Sequence, residues 1–123
     1  MPTVYPSREL LDTKRSEGVI EPARLPLGTI ILLETNSQVY ELVTREDTLL
    51  WATGCGKRSF SRQPVEFIGS IDQNGTLFAG LVVKDQHMVL KLATGRYVTG
   101  CIRSASIFGQ PRGEEYRYEL WKT

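Results

Sequence analysis

The spacing of apolar and polar residues divides the chain in three. Residues 7–17, SRELLDTKRSE, carry helix signals: Ser7 as an N-cap, Glu9 in the first turn, Lys14 and Arg15 in the last, and Gly18 as a stop. Leu10 and Leu11 are its apolar grip. That is too little for an isolated helix of three turns, so the helix must dock to persist. The segment EPARLPLG, with Pro22 and Pro26, predicts an extended connector, because each proline biases its predecessor away from helix.

From Leu27 to Phe108 the period becomes two. TIILLETN and QVYELVTR predict a hairpin across ETNSQ, and TLLWATG predicts the next strand. PVEFIGSID alternates most regularly: Val65, Phe67 and Ile71 face one way, Glu66, Ser70 and Asp72 the other, with Gly69 as a bulge or close-approach position. Asn74-Gly75 predicts a type I′ turn, which needs positive φ at both residues, and TLFAGLVV is the return strand. HMVLKLA and RYVTGCIRSASIF complete the series.

The expected fold is all-β, a small antiparallel barrel or barrel-like sandwich of about seven strands, with a short N-terminal helix and a C-terminal aromatic tail. Its edges and inner face require closure or a second layer. Three regions follow: residues 1–26 as helix and connector, 27–108 as the β domain, and 109–123 as a tail docking on that domain or on a partner. The tail, GQPRGEEYRYELWKT, opens with strand breakers and ends in Tyr116, Tyr118, Leu120 and Trp121, suited to one more strand or a docked helical turn.

Composition agrees with one ordinary globular domain. The chain has 123 residues, 41% hydrophobic and 24% charged, which excludes wholesale disorder. No apolar run approaches the roughly 20 residues of a membrane-spanning helix. Charges in MPTVYPSRELLDTKRSEG interrupt any signal-like stretch, so the expected location is cytoplasmic, with Cys55 and Cys101 as thiols. Fifteen basic against fourteen acidic residues give a formal charge of +1, which supplies no general field for polyanions.

Candidate chemistry centres on TGCGKRS, Thr53 to Ser59. A phosphate-binding P-loop, GxxxxGK[ST], fails twice: Trp51 stands where its first glycine belongs, and Arg58 where its hydroxyl belongs. The context fails as well, since a strand follows instead of a helix. Cys55 as a nucleophile needs a base, and the single histidine, His87, falls on the polar face of its strand. A free cysteine is more often a small buried hydrophobe. Two cysteines and one histidine make a poor zinc set, no carboxylates are fixed as an acid and base, and no dinucleotide fingerprint is present. No catalytic residue, cofactor or metal is therefore expected.

Two binding readings remain. The first is a noncatalytic β module for protein association, with a protein partner or as a homodimer, through Tyr116, Tyr118 and Trp121 of the tail. The tail would serve equally to cover an open end of the barrel. The second is nucleic acid or a small anionic ligand at Lys57, Arg58, Phe60 and Arg62, helped by Arg96 and Arg103. Cations for phosphates and an aromatic face for a base would do this, although a solvated connecting loop has the same composition.

The runs ETNSQVYEL, EFIGSI and YVTGCIRSASI together resemble a group of small bacterial all-β proteins of unknown function. Thr35, Ser37, Tyr40, Glu41, Leu42, Gly69 and Ser70 match the pattern, while Gly100-Cys101 departs from the serine expected in the late strand. The resemblance covers the central two thirds of the chain and implies the all-β fold alone.

Overall fold

The computed structural model describes residues 3–56 and 59–108, and the backbone of Arg117–Trp121. Helix α1 spans Arg8–Glu17. Ser7 Oγ accepts the Leu10 N–H at 3.2 Å, and Gly18, at φ +102°, closes the helix by donating to Arg15 C=O. None of its residues is fully buried. Half-buried Leu11 packs on a small cluster of Phe78, Leu81 and Val83, which is the docking that so weakly amphipathic a helix requires. The connector is not uniformly extended: strand β1 (Val19–Ile20) precedes a 3-10 turn at Pro22–Arg24. Proline at the start of that turn donates no hydrogen bond and needs none there.

The seven predicted strand regions all form strands: β2 (Ile30–Glu34), β3 (Gln38–Thr44), β4 (Leu49–Gly56), β5 (Phe60–Ile71), β6 (Leu77–Ala79) with β7 (Val82–Val83), β8 (His87–Leu92), and β9 (Gly95–Cys101) with β10 (Ser104–Phe108). β11 (Arg117–Trp121) follows. All named strand pairs are antiparallel, in the order β11-β10-β2-β3-β4-β5-β8-β9, with β6 beside β5 and β1 beside β7. Among the described residues no pairing joins β9 to β11. β9 and β10 are nonetheless consecutive, separated by Ile102 and Arg103, and they meet opposite ends of the ladder: β8 in one case, β2 in the other.

Alternation decides which side chains enter the core. Ile31 and Leu33, Tyr40 and Leu42, Leu50 and Ala52, Val65 and Phe67, Met88 and Leu90, Ala105 and Ile107 form one buried cluster. Alternation fails beyond Gly69: the register shift there turns Ser70 into the core, instead of onto the polar face with Glu66, and leaves Ile71 half-buried. Gly69, at φ +149°, sits where the β5–β8 register shifts, and a Cβ there would lie 2.4 Å from Phe78 O. Ser70 is fully buried, donates to Leu81 C=O at 2.7 Å and accepts from Val83 N–H at 3.3 Å, so its hydroxyl holds β7 on β5.

The turn at Asn74-Gly75 differs from expectation. Gly75 N–H donates to Asp72 C=O, which places Gln73 and Asn74 at the centre, and Gly75 alone of the three has positive φ. The cause is Asp72, whose Oδ1 accepts from both Asn74 N–H and Thr76 N–H at 2.9 Å. An aspartate that caps its own turn favours this geometry over type I′. Among the described residues no helix is long and apolar enough to cross a membrane.

Candidate functional site: the outer face of β3, β4 and β5

The first half of the glycine- and cation-rich stretch, Thr53 to Gly56, forms the end of β4. Its glycines make room for neighbours. A Cβ on Gly54 would lie 2.7 Å from Phe60 Cε2, and one on Gly56, at φ +136°, would lie 2.5 Å from Ser37 O. Lys57 and Arg58 lie outside the described residues.

Phe60 is half-buried and is not an exposed platform. Between Ala52↔Gln63 and Gly54↔Phe60, β4 advances two residues while β5 advances three. The bulge reverses the alternation of β5. Phe60 therefore turns inward, with its ring centroid 5.2 Å from Tyr97 and 6.2 Å from Tyr40. The two tyrosine hydroxyls meet at 3.1 Å, and Gln38 Nε2 donates to Tyr40 Oη at 2.9 Å, so this end of the core is aromatic and hydrogen-bonded.

Arg62 remains outside, and its guanidinium carbon lies 5.4 Å from the centroid of Trp51. Arg45, from the β3–β4 turn, approaches the same ring at 4.7 Å. Both distances suit cation–π attraction, worth about 0.5–1 kcal/mol at an exposed site. Neither arginine has a carboxylate partner among the described residues. The expected helper Arg103 is different, since it pairs with Asp85 at 3.8 Å; Arg96 is exposed opposite Lys91.

Trp51 also belongs to a cross-strand row. The registers Phe108↔Ile30, Ile30↔Val43, Val43↔Trp51 and Trp51↔Pro64 align five large residues on the outer face of five strands. The first four are half-buried and Pro64 is exposed; Leu32, Val39 and Leu49 add apolar surface on the same side. An antiparallel sheet with one solvated face is expected to be polar there. Here it is not.

Cys55 and His87 stand on different strand pairs. Cys55 is exposed, opposite Val39, while His87 stands opposite Cys101 and Ile71. His87 Nδ1 lies 2.9 Å from Thr99 O, and no hydrogen bond joins His87 to Cys101. The described residues contain no group of three or more His, Cys, Asp or Glu side chains suited to a metal ion. Of the tail residues proposed to meet a partner, Tyr116 lies outside the described residues, Tyr118 stands opposite Ile107, and Trp121 opposite Ala105. A pocket of about 210 Å³ lies against β5, β8 and β9, walled by aliphatic residues including Ile68, Ile71, Leu77 and Val89, with Arg96 and the N-terminal Val4 at its margin.

Arg45 and Trp51 escaped the sequence reading. Trp51 sits in the unbroken apolar run TLLWATG, where no alternation marks its outward direction, and the row it joins exists only once the strands are paired. No family model, curated protein or solved structure matches the chain.

Proposed function

We propose that this chain is a noncatalytic β module that associates with protein through the outer face of β2 to β5, with Trp51 as the anchor. The observation that carries the reading is the aligned row Phe108, Ile30, Val43, Trp51 and Pro64, flanked by Arg45 and Arg62, which have no carboxylate partner among the described residues. Interface energy concentrates in Trp, Tyr and Arg surrounded by apolar contacts that exclude water. A contiguous apolar patch on an otherwise polar surface is a mark of association.

The same proposal takes the curled sheet as a small barrel. Ile102 N–H donates to Gln86 C=O before β8, and the next residue, Arg103, donates to Glu34 C=O at the end of β2. Successive N–H groups of an extended chain point to opposite sides. The stretch from β9 to β10 then acts as one bent strand between β8 and β2. Proximity of Gly100 to Thr35 supports this, since a Cβ at Gly100 would meet the Thr35 side chain at 3.5 Å. The inner face is filled by side chains, which leaves the outer face for binding. Free thiols at Cys55 and Cys101 fit action in a reducing compartment such as the cytoplasm.

The test is Trp51→Ala. Its side chain lies outside the core, so the fold should persist, while a protein partner recovered with the unaltered chain and then purified should bind at least about 30-fold more weakly. Binding indifferent to Trp51 would refute the reading. A second reading rests on Arg45 and Arg62, which have no carboxylate partner among the described residues: phosphates of a single strand would meet them while a base stacks on Trp51. Salt-dependent binding of a short oligonucleotide, lost on Trp51→Ala, would favour it.

A further inference from the structure

The apolar row is bordered by four charges that have no ion-pair partner among the described residues: Glu41, Arg45, Arg62 and Glu66. The registers fix their relative places. Arg45 donates its backbone N–H to Leu49, and Leu49 stands opposite Glu66, so Arg45 on the β3 side and Glu66 on β5 share one row beyond Trp51. Glu41 stands opposite Thr53, and Thr53 faces the bulge that contains Arg62, so Glu41 on β3 and Arg62 on β5 share the row on the other side. Trp51 lies at the centre of a rectangle whose corners alternate in sign along both edges.

We infer that the partner for this face is a second copy of the chain, packed sheet to sheet about a twofold axis lying in the interface. The inference rests on the association proposed above and names its partner. A closed dimer makes each contact twice, residue i on j and j on i. A twofold along β4 exchanges β3 with β5 and leaves position along the strand unchanged. It lays Arg45 over Glu66 of the copy, Glu41 over Arg62, Val43 over Pro64, and Trp51 near its own equivalent. A twofold across the strands instead lays Arg45 over Glu41 and Arg62 over Glu66. Either axis turns every cation toward an anion.

A face with a single sign of charge would repel its copy, and like charges brought together suppress wrong partners. This face does the reverse: its apolar middle can be shared and its four corner charges match those of a rotated duplicate, although Glu66 also has Lys91 opposite it on β8. Aligned sheet packing of this kind is a standard way to cover an apolar sheet surface, with sheets about 10 Å apart.

The experiment is a charge-reversal exchange read by sedimentation equilibrium at low salt. The unaltered chain should form a dimer whose population rises with concentration. Arg45→Glu, Glu66→Arg and Glu41→Arg each place like charges opposite one another twice per dimer and should weaken it at least about tenfold. Mixing Arg45→Glu with Glu66→Arg should restore a heterodimer if the axis runs along β4; mixing Arg45→Glu with Glu41→Arg should restore it if the axis runs across. Glu41 and Glu66 are exposed and Arg45 is half-buried in the β3–β4 turn, outside the core cluster, so circular dichroism should show all variants folded.

Failure to restore association in both mixtures would overturn the inference, as would an unaltered chain that stays monomeric up to about 1 mM, where even a weak specific pair is populated. A monomer that still binds another protein through Trp51 would remove the second copy and leave the docking face standing. A dimer indifferent to the reversals and to Trp51→Ala would remove both.

Discussion

Gly54 and Phe60 are predicted to be thermodynamically coupled, because one exists to make room for the other. Phe60 is half-buried and packs edge-on to Tyr97 and tilted against Tyr40. Complete burial makes a Phe→Ala change cost about 3–5 kcal/mol, so a half-buried ring with two aromatic neighbours should cost about 2–3 kcal/mol. Gly54→Ala places a methyl 2.7 Å from Phe60 Cε2 and 2.9 Å from Cδ2, which must displace the ring from both tyrosines. Overpacking of that kind costs about 1–3 kcal/mol. Once Phe60 is alanine the obstruction is gone, and Gly54→Ala should be neutral or stabilising by up to about 1 kcal/mol, since alanine suits a strand better than glycine. Urea denaturation of the four proteins of the cycle should therefore give a coupling energy of about 1–3 kcal/mol. Additivity within about 0.5 kcal/mol would refute the inward placement of Phe60 and return it to the surface as a candidate ligand platform.

Ser70→Ala should destabilise by about 2–4 kcal/mol in the same assay, because Leu81 C=O and Val83 N–H lose their shared buried partner. Hydrogen exchange should then rise first in β1, β7 and α1; unchanged protection there would contradict the clamp. Ser7→Ala removes the N-cap and should raise exchange along α1 while shifting global stability by about 1 kcal/mol or less, as Leu11 is the helix's principal attachment. A loss of several kcal/mol would mean that α1 is integral to the core.

The fold was legible in the sequence where local chemistry decides it. Ser7, Glu9 and Gly18 marked α1, and alternation in β2, β3 and the first half of β5 marked the core residues that pack together; past the register shift at Gly69 it failed, since Ser70 is buried and Ile71 only half-buried. Gly69 announced a close approach, and Phe78 O is what approaches. The turn at Asp72 was misread because the asparagine-glycine signal is weaker than a carboxylate that already caps two N–H groups. The site was less legible for a different reason. A single bulged residue moved Phe60 from the outer face to the inner one, and alternation alone carries no mark of a bulge. Trp51, Val43 and Ile30 are separated in sequence and meet only through register, which is a property of paired strands.

The most direct test of association through the outer face follows Trp51 itself. The chain contains two tryptophans, and Trp121→Phe leaves Trp51 as the single reporter. Its emission maximum and its quenching by acrylamide should be measured across a dilution series under conditions where mass is known. Association through this face predicts that the emission moves to shorter wavelength and quenching falls as the complex forms, in step with the rise in mass. A mass increase with unchanged Trp51 emission and quenching would place the interface elsewhere and contradict the account.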